Sequence, residues 1–520
     1  MTKRSFPRPG AMVRTALAFC SFAAAVGTGQ ETSAAQTSAP DLVLEGVVRG
    51  PQNHTYIQVP FAVPAGAERV TLTFAYTGKE QHTALDLGLL DPAQLRCWSG
   101  GNKSLLTVGL SDATPSCLPG PIPPGEWHVL IGVPNIRPNE ESHYTVDLYF
   151  SSGGTVAGEP AILRAPLGAG PGWFRGDLHL HTSHSDGQCP SQTGKMVPCP
   201  VYFTVEAAAR RGLDFAAITD HNATSQYEAM RELQPYFDKV LLIPGREITT
   251  FEGHLNFLGT TDFLDFRLGG KTVPNVNSLL QDANRLGGLT SINHASAPNG
   301  EICMGCGWKP VSAVDMRLLT AVEAVNGGSE RSGISDIPFW NKQLDRGCRL
   351  TGVAGSDNHQ PMQPLDQIGS VGSPTTVVYA AELSTPAILA GIRAGHVFID
   401  LAGTRNHLLE VTARAQDHVA HMGDLLDAGK GEAVDFDLHV AAAAGGKLRW
   451  LEDGREMPLT GGANISSPDQ TFPLAFPLLW VSDGQSHWFR AEVRGPDGKL
   501  WLLGNPVYVN WGASNQCRDR

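Results

Sequence analysis

The sequence contains no hydrophobic run long enough to cross a membrane. Its longest apolar stretch, from Ala16 to Val26, falls short of the ~20 residues that span a bilayer. Beyond a short polar leader at 36–40 we find no low-complexity tract and no internal repeat. A membrane-spanning helix and a repeat architecture are therefore not expected. A hydrophobic fraction of 42% with 17% charged residues is typical of globular chains, and 520 residues suffice for about three domains.

Residues 1–35 predict a secretory signal peptide. A basic start is followed by the apolar stretch and by the small residues Ser33-Ala34-Ala35, where cleavage is expected. Cys20 raises a lipoprotein alternative, but the bulky Phe19 before it argues against that reading. We therefore expect an exported protein, periplasmic or extracellular.

Acidic residues outnumber basic residues. The chain has 39 Lys and Arg against 51 Asp and Glu, which gives a net charge of −12. Removing residues 1–35 takes away four basic residues and one acid, so the charge becomes −15. Duplex nucleic acid would be repelled at long range, and a small-molecule substrate is expected instead.

Nine cysteines, or eight without Cys20, indicate disulfides in an exported chain. Cys97 could pair with Cys117, and Cys189 with Cys199. The sequence does not pair the remaining four, which are Cys303, Cys306, Cys348 and Cys517. The Cys303-Met-Gly-Cys306 spacing also allows zinc, but no second such motif supports that reading.

The residue pattern predicts three folded segments. Residues 41–165 and 405–520 show short alternating runs between turn residues, which predicts two β-sandwich-like domains. Residues 171–400 alternate short apolar runs with helix-like stretches, the pattern of βα units. The fold class is therefore α/β with flanking all-β domains.

The central segment carries a series of His, Asp and Glu residues near the ends of its predicted strands. In a parallel βα barrel such positions converge at one mouth. His254 is the exception, because it begins its strand. Imidazole with carboxylate suits zinc, iron or manganese, and nine candidate ligands imply more than one ion. The nine are His179, His181, Asp186, His221, Glu247, His254, His294, Asp357 and His359.

The motifs "GDLHLHTSHSDG", "LDFAAITDHN", "IPGREIT", "SINHAS" and "GVAGSDNHQ" resemble, in order and spacing, those of the polymerase and histidinol phosphatase (PHP) metallohydrolases. "HTSHSDG" and the later "GHVFIDL", followed by a β domain, are similar to the carbaryl-hydrolase-like branch. The resemblance covers about 171–400 and implies a distorted seven-stranded α/β barrel, (β/α)7, with two or three divalent metal ions.

The resemblance also implies how the ligands divide. One ion would be held by His179, His181, Glu247 and Asp357, and a second by Asp186, His221 and His359. Glu247 would bridge to a third ion held by His254 and His294. Cations of this kind make hydroxide available near neutral pH, and a hydroxide bridging two of them would attack phosphorus or a carbonyl carbon.

Six further residues are candidates for supporting roles. His184 could contact the substrate or protonate the leaving group. Asp177 and Asp220 could orient metal-bound histidines, and Asp220 could equally cap a turn. Asn222, Asn326 and Asn358 are candidate substrate-binding residues, although turn formation explains them equally well.

Three functions stay open at this point. The first is a phosphoesterase that cleaves phosphomonoesters or small phosphodiesters. The second is a carboxylic or carbamic ester hydrolase. The third is a non-catalytic binder whose β segments recognise glycans or another polymer, and the complete ligand set weighs against it.

Overall fold

We describe the protein from a computed structural model. It describes residues 39–101, 103–151, 165–299, 301, 303, 305–403, 405–459, 462–473, 480–512 and 517. The predicted signal peptide lies outside these residues. Within them, no helix combines the length and apolar character needed to cross a membrane.

The first part of the chain forms two four-stranded antiparallel sheets with strand orders β1-β8-β3-β6 and β2-β7-β4-β5. Alternate side chains of β1, β2 and β8 turn inward, so each sheet buries one face. Trp127 is fully buried in the shared core, and its indole N–H donates to the Pro123 carbonyl at 2.9 Å. The strands are β1 (Leu42–Arg49), β2 (Tyr56–Val63), β3 (Arg69–Tyr76), β4 (Ala84–Leu90), β5 (Leu95–Gly100), β6 (Leu105–Gly109), β7 (Gly125–Asn135) and β8 (Glu141–Ser151).

The central part mixes strands with a few short helices. Its elements are β9 (Gly172–Asp177), β10 (Gln188–Pro190), β11 (Met196–Pro198), α1 (Val201–Arg211), β12 (Phe215–Ile218), α2 (Gln226–Leu233), β13 (Leu241–Thr250), β14 (Gly253–Leu258), α3 (Val276–Arg285), β15 (Leu289–Ile292), β16 (Ala321–Asn326), α4 (Gly327–Arg331), α5 (Ile337–Asp345), β17 (Thr351–Gly355), β18 (Thr375–Ala380), α6 (Thr385–Ala394) and β19 (Val397–Asp400). Gly212 ends α1 with a left-handed φ of 76°, a position that favours glycine. Ser384 caps α6, and its side chain accepts from the Ala387 N–H.

The fold is mixed α/β and rich in sheet, but the regular strand pairing does not confirm a (β/α)7 barrel. The path runs β17-β16-β15-β14-β13-β12-β9-β18-β19 and continues into later strands. β14 is antiparallel to both of its neighbours, and β18 and β19 are antiparallel as well. The hairpin that joins β13 to β14 has no helix between its strands, which breaks the expected alternation.

The last part adds a second pair of packed sheets. β19 pairs with β29, so one 15-stranded sheet crosses the predicted boundary near residue 404, and a five-stranded sheet around β20 and β23 packs over it. The strands are β20 (Leu408–Ala415), β21 (His418–His421), β22 (Leu425–Leu426), β23 (Ala433–Ala441), β24 (Lys447–Glu452), β25 (Arg455–Met457), β26 (Asp469–Pro473), β27 (Trp480–Val481), β28 (His487–Arg494), β29 (Leu500–Gly504) and β30 (Val507–Val509).

A buried ion cluster joins the first sandwich to the central part. The Asp112 side chain is inaccessible to solvent and pairs with Arg69 of β3 and with Arg231 of α2. Burial alone would raise the pKa of Asp112, but Arg231 and Arg69 outweigh it and lower the pKa to about 2. The hydroxyl of Thr261 also donates to this carboxylate at 3.1 Å.

Four disulfides link the eight described cysteines. Cys97 pairs with Cys117 and Cys189 with Cys199, the two pairings that the sequence suggests. The other pairs, Cys303–Cys306 and Cys348–Cys517, were not predicted from the sequence. Such cross-linking is consistent with an exported protein.

Candidate metal centre

The segments that follow β9 and β17 meet at one edge of the central sheet. The His181 N–H donates to the Asn358 carbonyl at 3.0 Å, and the Asp357 N–H donates to the His179 carbonyl at 3.0 Å. A backbone bridge joins Leu180 to Asn358 in parallel. The residues after both strands are therefore held side by side.

The antiparallel direction of β14 explains the position of His254. The start of an antiparallel strand lies at the same edge as the ends of its parallel neighbours. In the β13–β14 hairpin, Thr249 is opposite His254 and Glu247 is two residues away. His254 therefore reaches the same edge as the other candidates.

The structure brings all nine predicted ligands together. Their donor atoms form four overlapping groups, and within each group the atoms lie within 4.8 Å of one another. The groups are His181 with Asp186, His221 and His359; His179 with Glu247 and His294; His179 with His181 and Asp357; and His221 with Glu247 and His254. A further group, Glu452 with Asp453 and His487, belongs to the C-terminal strands.

Glu247 is the carboxylate that the two buried groups share. Its Oε1 lies 3.1 Å from Nδ1 of His254 and 3.0 Å from Nε2 of His294. Its Oε2 lies 3.3 Å from Nε2 of His179 and 2.8 Å from Nδ1 of His221. The side chain is fully buried, and its Oε1 also accepts from Nδ2 of Asn293 at 3.0 Å.

Two more carboxylates complete the arrangement. Oδ1 of Asp357 lies 3.3 Å from Nε2 of His179 and 3.1 Å from Nε2 of His181. Oδ1 of Asp186 lies 3.2 Å from Nε2 of His359 and 3.8 Å from Nε2 of His221. Asp186 is the most exposed of the nine, so the Asp186 group forms the solvent side of the centre.

The donor set fits divalent metal ions. Nε2 of His179, Oε2 of Glu247 and Nε2 of His254 are buried and make no hydrogen bond of acceptable geometry with any described residue. Each unsatisfied buried polar atom costs about 1–3 kcal/mol, so three in one place indicate a missing partner. Imidazole nitrogens and carboxylate oxygens match zinc, manganese or iron.

The pKa values of these side chains in the absence of ions also indicate a site for cations. Burial opposes charge on His179, but Asp357, Glu323 and Glu247 raise its pKa well above the ordinary value. Burial likewise opposes charge on His294, and its hydrogen bond to Glu247 raises the pKa to about 9. The pKa values of Glu247 and Asp357 fall well below normal, since the histidines outweigh their burial. Protons thus occupy places that cations would take.

His181 differs from these histidines. Burial, with a contribution from neighbouring His359, lowers its pKa to about 4. A neutral imidazole has a free lone pair, which is the state that binds metal.

Sequence reasoning missed Glu323, which lies directly behind the nine residues. It is 1% exposed, and its Oε1 accepts from Nδ1 of His179 at 2.7 Å. Its Oε2 accepts from the His294 N–H at 3.1 Å and from Nδ2 of Asn326 at 3.0 Å. Its signal in the sequence is a lone carboxylate within the apolar strand "AVEAVN". Such a residue in a buried strand needs a specific partner.

His294 is held from behind in the same way, because its Nδ1 donates to the Cys306 carbonyl at 3.2 Å and its Nε2 then faces Glu247. Nδ1 of His221 instead lies 2.6 Å from the Thr249 hydroxyl and 2.8 Å from Oε2 of Glu247, and its Nε2 faces Asp186 at 3.8 Å.

The two aspartates expected behind the histidines act on the main chain instead. Asp177 accepts from the N–H groups of His179, Ser356 and Gly372 at 2.7–3.1 Å and contacts no imidazole. Glu323 lies behind His179 instead, with its Oε1 2.7 Å from Nδ1 of that ring.

Asp220 holds the loop after His181. It accepts from the Thr182 N–H at 2.8 Å and from the Ser185 hydroxyl at 2.6 Å. The Ser185 oxygen lies 3.4 Å from Nδ1 of His181. Asp220 therefore caps the turn and reaches a histidine only through Ser185.

The remaining four candidates lie around the centre rather than in it. His184 is outside all four groups and shares a hydrogen bond of 2.7 Å with Ser225 Oγ. The side-chain amide of Asn222 donates to the carbonyl and accepts from the N–H of Thr249. The side-chain amide of Asn358 donates to the Gly369 carbonyl and accepts from the Gln360 N–H. These contacts match the turn-forming alternative and leave neither amide free for substrate.

Asn326 caps α4 through the Ser329 N–H at 3.0 Å. Its Nδ2 also donates to Glu323, and it lies 3.4 Å from Oδ2 of Asp357. Asn326 is therefore adjacent to the candidate ligands and supports two carboxylates, rather than facing open space.

No protein-family profile and no curated protein matches this sequence. One solved structure that resembles it is a two-domain protein from Bacteroides vulgatus containing a predicted PHP-like metal-dependent phosphoesterase. It is 17% identical, covers 65% of this chain and 95% of its own, and has a TM-score of 0.37. Another is PsfC from Pseudomonas syringae, 18% identical with a TM-score of 0.27, covering 40% and 82%. Neither supports the carbaryl-hydrolase-like branch.

Proposed function

We propose that this protein is an exported PHP-type metal-dependent hydrolase, and specifically a phosphoesterase that acts on phosphomonoesters or small phosphodiesters. One observation carries the proposal: nine imidazole and carboxylate side chains converge, and three of their buried atoms make no hydrogen bond of acceptable geometry with any described residue. In this proposal the closed part of the central sheet is a distorted barrel, completed by the Leu180–Asn358 bridge.

Two or three divalent ions would be held by the nine residues, with Glu247 shared between neighbouring ions. When bound, such ions supply a nucleophile from water near neutral pH and neutralise charge on substrate oxygens. The chain's own residues provide orientation. Glu323 keeps the proton of His179 on Nδ1, so that Nε2 presents a lone pair to the centre.

Charge favours an anionic substrate. The ligand set contains three carboxylates, Asp186, Glu247 and Asp357. These would offset only three of the six positive charges of three divalent ions. The excess positive charge at the solvent side, near Asp186, would attract a phosphate ester in spite of the protein's net charge of −12.

An activity panel tests the proposal. The purified chain, loaded with zinc, manganese or iron, is assayed on p-nitrophenyl phosphate, bis-p-nitrophenyl phosphate, 1-naphthyl acetate and a 1-naphthyl carbamate. We expect turnover of at least one phosphate ester and its loss in Asp357→Asn. Turnover of the acetate or carbamate alone would instead identify a carboxylic or carbamic ester hydrolase. No turnover with any metal would contradict an enzymatic role.

A further inference from the structure

A second cavity lies at the opposite edge of the central sheet. It has a volume of about 290 Å³ and opens between β9 and β18 on one side and β20 and β21 on the other. Two aromatic rings and four polar side chains form most of its wall: Trp173, Tyr379, His396, Glu410, Thr412 and His421.

This cavity is separate from the candidate metal centre. Trp173 is the second residue of β9, and His179 follows the far end of that strand. Six residues of extended chain span about 20 Å at roughly 3.3 Å per residue. A ligand in the cavity would therefore not touch the nine candidate ligands.

The aromatic wall is fixed in place but accessible. The Trp173 indole N–H donates to Glu410 Oε1 at 2.9 Å, and its ring packs edge-on against Phe398 with centroids 5.2 Å apart. Tyr379 meets Trp173 at 5.4 Å and is 41% exposed, on a strand whose other residues are buried. The Tyr379 hydroxyl makes no hydrogen bond with any described residue.

The polar wall favours a neutral ligand. Glu410 has both oxygens occupied, by Trp173 and by Nδ1 of His439 at 2.9 Å, so it is not an unpaired counter-ion for a cation. Nε2 of His396 is likewise bonded to Asp424 at 2.9 Å. Among the described residues no Lys or Arg lines the cavity, so an anion would find no fixed positive charge.

We propose that this cavity binds a neutral sugar ring. The C–H face of a sugar packs on exposed aromatic rings. Its hydroxyls exchange hydrogen bonds with the Tyr379 hydroxyl and with the pair formed by Thr412 Oγ1 and His421 Nδ1, which share a long contact of 3.4 Å. The volume is near the lower limit of about 300 Å³ for small-molecule sites, which suits one ring rather than an oligosaccharide. The protein thus carries a carbohydrate site apart from its hydrolytic centre.

Saturation-transfer NMR on the full chain tests this site. The probes are the methyl glycosides of glucose, galactose and N-acetylglucosamine at millimolar concentration, with tetramethylammonium as the cationic alternative. We expect transfer to the ring protons of at least one glycoside. Removing metal with a chelator should leave the signal unchanged, which separates this site from the proposed centre.

The variants Tyr379→Ala and Thr412→Val should each weaken glycoside binding at least ten-fold. Tyr236→Ala is the matched control, because Tyr236 is 72% exposed and lies away from the cavity. Circular dichroism checks that each variant is folded. If Tyr379→Ala does not fold, glycoside binding by Thr412→Val tests the proposal. The proposal is overturned if no glycoside receives saturation, if only tetramethylammonium does, or if the folded variants bind as the parent does.

Discussion

Replacing Glu323 with Gln is a sensitive perturbation of the candidate metal centre. Glu323 accepts from three donors at 2.7–3.1 Å: His179 Nδ1, the His294 N–H and Asn326 Nδ2. A glutamine can keep the bond from His179 through its oxygen. Its NH₂ group then faces the His294 N–H and Asn326 Nδ2, which donate to Oε2 in the parent, so that buried donors face each other with no acceptor between them.

The expected loss follows from these contacts. Substituting a partner behind a metal-bound histidine typically lowers metal affinity about 10–100-fold, or roughly 1.4–2.7 kcal/mol. A hydrogen bond to a charged group contributes about 1.5–3 kcal/mol, which agrees with the upper part of that range. We therefore expect Glu323→Gln to bind zinc or manganese at least ten-fold more weakly than the parent.

Competition with a chromogenic chelator measures this loss, and thermal unfolding with and without metal separates affinity from stability. Glu141→Gln is the control, since the Glu141 side chain is 50% exposed and pairs only with Arg49 on the first sandwich. Equal metal affinities for Glu323→Gln and Glu141→Gln would refute the reasoning, because Glu323 would then not position His179.

Three further predictions concern pH and the surrounding residues. Metal affinity should rise by about ten-fold per pH unit for each displaced proton as pH increases towards 9, because His294 and His359 have pKa values of about 9 without metal and protons compete with metal below that pH. Chelator competition at pH 7, 8 and 9 measures this rise, and an affinity that does not change with pH would contradict the prediction. The Asp112 carboxylate has its pKa lowered to about 2, so its contribution of roughly 2 kcal/mol is complete above about pH 5 and is lost as pH falls through 2. The difference in unfolding free energy between the parent and Asp112→Asn should shrink over that interval, and a constant difference would count against the ion cluster. His184→Ala should retain the metal content of the parent, since His184 bonds to Ser225 outside the four groups; metal loss in this variant, measured by elemental analysis, would place His184 among the ligands.

The sequence predicted much of the central part because its strands are short apolar runs separated by clear helix signals. The apolar run at 215–219 indicates a strand and is one residue longer than β12, and the helical pattern at 276–286 is one residue longer than α3. Convergence of most candidate ligands, with His254 as the exception, followed from strand-end geometry, since parallel strands finish at one edge.

Features that depend on strand direction or on distant contacts could not be predicted in this way. The antiparallel direction of β14, which accounts for His254, is not encoded in the local pattern of "GHLNFL". The Cys348–Cys517 bridge joins residues 169 positions apart. The sequence also could not decide the role of Asn222 and Asn358. A side-chain amide that bonds to backbone groups in a turn has the same sequence context as one that binds substrate.

Elemental analysis of the purified protein and of His179→Ala and Asp357→Ala tests the central claim most directly. Both residues belong to the group of His179, His181 and Asp357, in which Nε2 of His179 lies 3.3 Å from Oδ1 of Asp357, so each variant removes a donor from the same group. We predict two or three equivalents of zinc, manganese or iron in the parent and a clear loss in both variants. Metal content that is negligible in the parent, or equal in all three proteins, would contradict the assignment of these side chains as ligands.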